Sequence, residues 1–505
     1  MDHLNGETTY RNPILDADLP DPDAIRVGER YVMIGSSFNR APGLPVYVST
    51  DLVNWDRVAD ALPSGNEPAA WFALPRHGQG VWAPSIRHHD GTYYIVYPDP
   101  DQGILVVTAP EPEGPWSRPH LLLGGLGLID PCPLWDDDGQ TYLVHGWAKS
   151  RAGKKNILTI VPVDAALRAA TGPARDVIDG ADIAGWGTIE GPKFYKRDGW
   201  YWIFAPAGGV ATGWQAVFRS RDVYGPYEER NVLEQGSTPV NGPHQGAWVT
   251  SPDGRDWFLH FQDRGPFGRV VHLQPMAWGD DGWPLMGKAV DGGPSEPVLE
   301  YPSPHGAVQG RRTIARSDDF ADGTPGPTWA WQANPASDAL AEGEGALRIR
   351  SGDDSGNLRT LTRVIGQPLP GMASRASVRV ALDGASGSRA GLAVLGYDYL
   401  WAGLAQGEHG AEAVVAVRAR TEMRERVVVR IPVGGEVAVA VACAPDAALT
   451  VELTIDGRVL RIDPDFRASE GQWIGAELAL FAGHPYGQTP AVAAFSSFRV
   501  DLDED

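Results

Sequence analysis

A polar turn, a glycine, then alternating aromatic and β-branched residues: this pattern occurs five times in the first 300 residues. The segments are "RVGERYVMIGSS", "HHDGTYYIVYPD", "DDDGQTYLVHGW", "KRDGWYWIFAPA" and "SPDGRDWFLHFQ". Their turn glycines, Gly28, Gly91, Gly139, Gly199 and Gly254, recur roughly every 50 to 60 residues, the spacing of a repeat architecture. Asp-Gly between alternating runs predicts a tight hairpin, because such turns need positive φ. Two hairpins fit each interval, so each unit has about four strands, which is a propeller blade. The pattern therefore predicts an all-β chain with a five-bladed β-propeller over residues 10–300. A β-sandwich with coincidental turns is the competing reading, and five similar units count against it.

After the last repeat the pattern changes. Residues 301–316, "YPSPHGAVQGRRTIAR", read as a connector rich in Pro and Gly. Residues 317–505 carry short alternating runs such as "ASVRVAL", "RAGLAVLGY", "ERVVVRIPV" and "LTVELTIDGRVLRID", which predict a β-sandwich of two antiparallel sheets. Trp401, in "YDYLWAGL", reads as sandwich core, with sugar contact as the alternative.

Composition narrows the partners. A net charge of −21 repels phosphate backbones and anionic lipid, so neither nucleic acid nor a membrane is expected. No apolar run approaches the ~18 residues of a membrane span. The two cysteines, Cys132 and Cys443, form neither a CxxC pair nor a zinc spacing. The polar start, with no basic stretch leading into an apolar one, predicts a cytoplasmic location. Nothing in the pattern sets an oligomeric state.

The chemistry lies just ahead of the turn glycines. Asp21, Asp130 and Glu190 occupy the same place in three repeats, with Trp82 and His244 at that place in the other two. Asp21 stands between Pro20 and Pro22, which restrict its backbone and suit a carboxylate aimed at one point. Innermost strands of a propeller border one channel, so these side chains converge at one mouth. A structural channel has no reason to crowd three acids, because like charges disfavour one another's ionisation. Two acids on opposite sides of a pocket suit glycosidic cleavage, one donating a proton and one activating water. A third raises the donor's pKa and orients it.

The motifs "NPILDADLPDPDAIRVGERYVMIGSSF", "GVWAPSIRHHDGTYYIVY", "IDPCPLWDDDGQTYLVHG", "IEGPKFYKRDGWYWIF" and "GRVVHLQPMAWGDDGWP" span the first 300 residues in order and resemble glycoside hydrolase family 43. The C-terminal region, through "DDF", "WAWQANP" and "AAFSSFRVDL", is similar to the concanavalin A-like jelly roll of its β-xylosidase and arabinofuranosidase members. The resemblance implies an inverting, exo-acting enzyme that removes β-D-xylosyl or α-L-arabinofuranosyl residues from xylan- or arabinan-derived oligosaccharides. It implies Asp21 as general base, Glu190 as general acid and Asp130 as the residue that tunes and orients the acid. Phe38, Trp82, His244 and Arg269 match positions that line the sugar pocket. No cofactor is expected to be required. Some members hold calcium in the channel through a central histidine, which makes His244 a candidate metal ligand. The accessory domain is expected to pack on the propeller and to cap one side of the pocket.

Two positions depart from the family pattern. Asp23 stands where many relatives have Ser, and reads as a turn cap. Ser85 stands where they often have Asp or Glu, a change expected to alter a polar contact and sugar preference. Two other functions remain open at this point. A retaining fructosidase would use a covalent intermediate, but its Asn-Asp-Pro-Asn and Glu-Cys patterns are missing. A sugar-binding protein has no use for the acid trio.

Overall fold

The structure, a computed structural model, describes residues 8–502. Five separate four-stranded antiparallel sheets follow one another along the chain, each with its strands in chain order. These are the blades, numbered I to V. Their first strands are Asp23–Val27, Ser85–His89, Leu128–Trp135, Lys193–Arg197 and His244–Thr250. The first strands of blades V, I, II, III and IV neighbour one another in that order and enclose the channel. The hairpin turns form as the sequence predicts. Asp90–Gly91 has φ of 47° and 72°, and Asp198–Gly199 has 53° and 70°, two successive left-handed residues in each turn.

Strand alternation glues blade to blade. In blade I, Tyr31 and Met33 pack against Val249 and Leu259 of blade V. Val32 and Ile34, between them in sequence, pack against Ile86 and Ile95 of blade II. Period-two apolar residues thus serve two interfaces at once, which is why the strands read as almost continuously hydrophobic. The same scheme joins blades II and III through Val96 and Leu143, III and IV through Val144 and Ile203, and IV and V through Phe204 and Phe258.

The strand Thr9–Arg11 pairs antiparallel with Glu300–Pro302. Tyr10 Oη and Asn12 Nδ2 both donate to Leu273 O at 2.8 Å, tying this strap to blade V. The stretch expected to be a connector is therefore anchored: Asp16 N donates to Arg312 O, and Gly310 N to Asn54 Oδ1 at 2.7 Å.

The C-terminal region is a sandwich of an eight-stranded and a six-stranded sheet around one apolar core. Trp401 lies on the far face of the larger sheet, buried against Phe481, with Nε1 donating to Glu425 at 2.9 Å. It is a packing residue. The sandwich grips two propeller loops. Ala41 and Trp331 exchange backbone hydrogen bonds of 3.0 and 2.7 Å, Arg40 pairs with Glu477, and Ala476 N donates to Pro266 O at 2.7 Å. The first of these loops also carries Phe38, and the second leads into the strand that begins at Arg269. Among the described residues no helix is long and apolar enough to cross a membrane.

Candidate active site

One mouth of the channel opens into a cavity of about 270 Å³. Asp21, Asp130, Glu190, Phe38, Trp82 and Arg269 line it, six of the seven residues expected from sequence. Asp21 and Glu190 lie just before the start of an innermost strand and Asp130 just inside one, so propeller symmetry converts a repeated sequence position into spatial convergence.

The backbone that aims them is strained. Asp21 and Asp130, both followed by proline, have φ of 56° and 55°. Non-glycine residues rarely adopt this region, and each instance costs of the order of 1 kcal/mol or more. At Asp130 the strand register slips between Ile129 and Cys132, a bulge that redirects the side chain into the mouth. Asp21 Oδ1 accepts from Arg269 Nη1 at 2.7 Å and its Oδ2 accepts from Ser36 Oγ, so both oxygens are held. Asp130 Oδ2 accepts from the backbone N–H of Gly191 at 2.8 Å, tying it to the residue after Glu190. Gly191 has φ 59°, and a Cβ there would stand 2.4 Å from Gln245 Cγ, so only glycine fits.

Burial separates the acids. Asp130 is 3% exposed, whereas the Glu190 side chain is 29% exposed and reaches the cavity. Burial, with the neighbouring charges of Glu190 and Asp21, pushes the Asp130 carboxyl up to about 8; the Gly191 N–H and Lys193 oppose the rise. From sequence Asp130 was expected to be the ionised neighbour of the proton donor; its deep burial instead makes its ionisation costly.

A folded-state carboxyl raised above its ordinary 3.8 keeps a proton that the unfolded chain has released. Stability therefore falls as pH rises from about 4 through 8. Asp130→Asn removes the ionisation cost while retaining an acceptor for Gly191. By calorimetry it should melt a few degrees higher than the parent at pH 8 to 9, with no gain near pH 4. A variant that melts lower at pH 8 would contradict the assigned burial cost.

His244 departs from expectation. It is fully buried and does not line the cavity; it stands behind Glu190, sharing a 3.0 Å hydrogen bond between Nε2 and Oε1. It positions the acid. Its Nδ1 has no protein hydrogen-bond partner, yet among the described residues no three His, Cys, Asp or Glu side chains converge as metal ligands. A lone imidazole nitrogen is a poor donor for calcium, which takes oxygen ligands.

The two departures from the family pattern also resolve. Asp23 caps no turn; it is fully buried in the first strand of blade I, where Oδ2 accepts from Ile86 N and Arg87 Nη1 at 2.8 Å. Ser85 is equally buried, accepts from Lys193 Nζ at 2.8 Å and does not line the cavity.

Sequence reasoning missed Ser36, Gln245 and Trp473. Trp473 comes from the sandwich loop "EGQWIG". It joins the cavity wall with its ring 6.4 Å from Trp82, edge to face, and 6.0 Å from the Arg269 guanidinium. An aromatic among small polar residues in a predicted loop was the available signal. Only the packing of the sandwich on the blade I and V loops reveals where it points.

Three carboxyls, an arginine and an aromatic wall surround one small cavity in the propeller mouth, the kinds of groups that glycosidic cleavage uses. The chain belongs to Glycosyl hydrolases family 43, whose profile matches residues 10–284, and the Beta xylosidase C-terminal Concanavalin A-like domain matches residues 317–501. It is 40% identical over 385 residues to a putative beta-xylosidase of Xylanibacter ruminicola, covering 75% of this chain and 70% of that protein. It is 32% identical over 368 residues to a non-reducing end alpha-L-arabinofuranosidase of Bacteroides ovatus, covering 68% and 65%. The match to a beta-xylosidase of Formosa agariphila, 33% identical over 375 residues, covers 68% of this chain and 62% of that protein. Among solved structures, xylan beta-1,4-xylosidase from Bacillus halodurans superposes with a TM-score of 0.86 over 97% of this chain and 99% of that one, at 23% identity. That likeness is one of fold.

Proposed function

We propose that the enzyme is an inverting, exo-acting glycosidase that releases terminal β-D-xylosyl or α-L-arabinofuranosyl residues from xylan- or arabinan-derived oligosaccharides. The observation that carries this reading is a cavity of about 270 Å³, walled by Trp82, Phe38 and Trp473, with the acids at its floor. A recess of this size suits one terminal sugar better than a chain running through. The names of the xylosidase and arabinofuranosidase relatives support the substrate class.

In the mechanism Asp21 takes a proton from water as the water oxygen bonds to the anomeric carbon. Glu190 gives its proton to the glycosidic oxygen as the bond from that oxygen to the anomeric carbon breaks. Asp130 orients Glu190 through Gly191. Solvent then returns the proton from Asp21 to Glu190. The family match leaves the fructosidase reading without support, and the acid trio remains unexplained in a sugar-binding protein.

The test is hydrolysis of aryl β-D-xyloside and aryl α-L-arabinofuranoside, with xylotetraose as a third substrate. At least one aryl glycoside should be cleaved, and any xylotetraose products should grow only by loss of single xylose units. Early release of xylobiose from xylotetraose without xylose would overturn exo action; inertness toward both aryl glycosides would overturn the substrate class.

A further inference from the structure

Below the site acids the channel holds a second charged layer. Lys193 and Asp23 are fully buried, and the Arg87 side chain is 13% exposed. Lys193 Nζ donates to Pro84 O and Ser85 Oγ, both at 2.8 Å, and lies 4.0 Å from Asp23 Oδ2. Asp23 is engaged more closely by Arg87 Nη1 at 2.8 Å. The other arm of Arg87 donates to Cys132 Sγ at 2.8 Å, and its guanidinium lies 5.4 Å from the Tyr195 ring centre. Asp23 is thus paired by Arg87, while the hydrogen bonds of Lys193 go to neutral oxygens.

Burying an ammonium without a close carboxylate is costly, and apolar packing would join the blades more cheaply. A surplus positive charge here calls for a partner nearby. The partner is the acid layer above. Lys193 lies three residues beyond Glu190 and acts electrostatically on Asp130. Across the two layers the cations are Arg87, Lys193 and Arg269. The carboxyls are Asp21, Asp23, Asp130 and Glu190, with His244 hydrogen-bonded to the last. Asp18, whose Oδ1 accepts from Arg269 N at 2.8 Å, adds a fifth carboxyl, so carboxyls outnumber cations and the cluster relieves its negative surplus by holding protons.

We propose that Lys193 is a positioning residue that limits how many protons the channel carboxyls hold. For its catalytic consequence this rests on the function proposed above. Its electrostatic content does not.

Two variants of opposite sign test it. Lys193→Met removes a positive charge, so the cluster should bind a further proton. Both limbs of the kcat/KM profile should move to higher pH by about one unit, the size expected of one charge at close range. Asp23→Asn removes a negative charge and should move both limbs the other way. Infrared titration of the protonated-carboxyl band gives a readout independent of turnover. The band should persist to higher pH in Lys193→Met and vanish at lower pH in Asp23→Asn. If one variant fails to fold, the direction of the other decides. Shifts in the same direction, or none in a folded variant, overturn the proposal. If neither glycoside is hydrolysed, the infrared result still decides the role of Lys193, and the failure belongs to the assigned activity.

Discussion

Asp21→Asn should fold normally and lose roughly a thousandfold or more in kcat, the loss expected when a positioned base is removed. The substitution keeps the shape of the side chain. It keeps one oxygen to accept from Arg269 or Ser36, the partners that hold both carboxylate oxygens in the parent. What disappears is the ability to take a proton from water. The prediction separates a base from a nucleophile. If Asp21 activates water, a β-xyloside should give α-xylose first, visible by proton NMR before mutarotation. Net retention by the parent enzyme would replace the direct displacement with a covalent intermediate. A variant with near-parental kcat would remove Asp21 from the chemistry.

Much of this site could be read from the chain because a propeller turns sequence period into spatial position. Asp21, Asp130 and Glu190 share one place in their repeats, and the innermost strands carry that place to one mouth. Strand alternation was equally legible, as Tyr31 and Val32 serving different blade interfaces illustrates. What was not legible depends on contacts between distant segments. Trp473 reaches the cavity only because the sandwich clamps the loops at Arg40 and Pro266. Asp23 and Ser85 looked like separate anomalies near the pocket, yet they meet around Lys193, where Ser85 Oγ accepts its hydrogen bond and Asp23 faces it. Burial adds a feature the repeats do not show. Asp130 is buried deeply enough that its carboxyl is pushed up to about 8, and depth below the mouth cannot be read from a repeat position. His244 shares its repeat position with the acids, but its ring lies behind Glu190 rather than in the cavity.

Glu190→Ala should divide substrates by their leaving groups. Glu190 is the acid that combines cavity exposure with a fixed orientation: its side chain is 29% exposed, and Oε1 is held 3.0 Å from His244 Nε2. A donor must reach the glycosidic oxygen, and Asp130, 3% exposed and tied to Gly191, is too deeply set for that task. Methyl β-xyloside departs as a strongly basic alkoxide unless it is protonated, so its hydrolysis should fall by about a hundredfold to ten-thousandfold, the usual contribution of general acid catalysis. Dinitrophenyl β-xyloside leaves as a stabilised phenolate and needs no proton, so its kcat should change far less. The slope of log kcat against leaving-group pKa should therefore steepen in the variant relative to the parent. The truncation leaves His244 without its partner, so some loss of stability is expected, and rates should be compared at a temperature where both proteins are folded. A uniform packing defect would slow both substrates by the same factor, whereas loss of the proton donor cannot. Equal slowing would remove Glu190 from the acid role and make Asp130 the donor to test next.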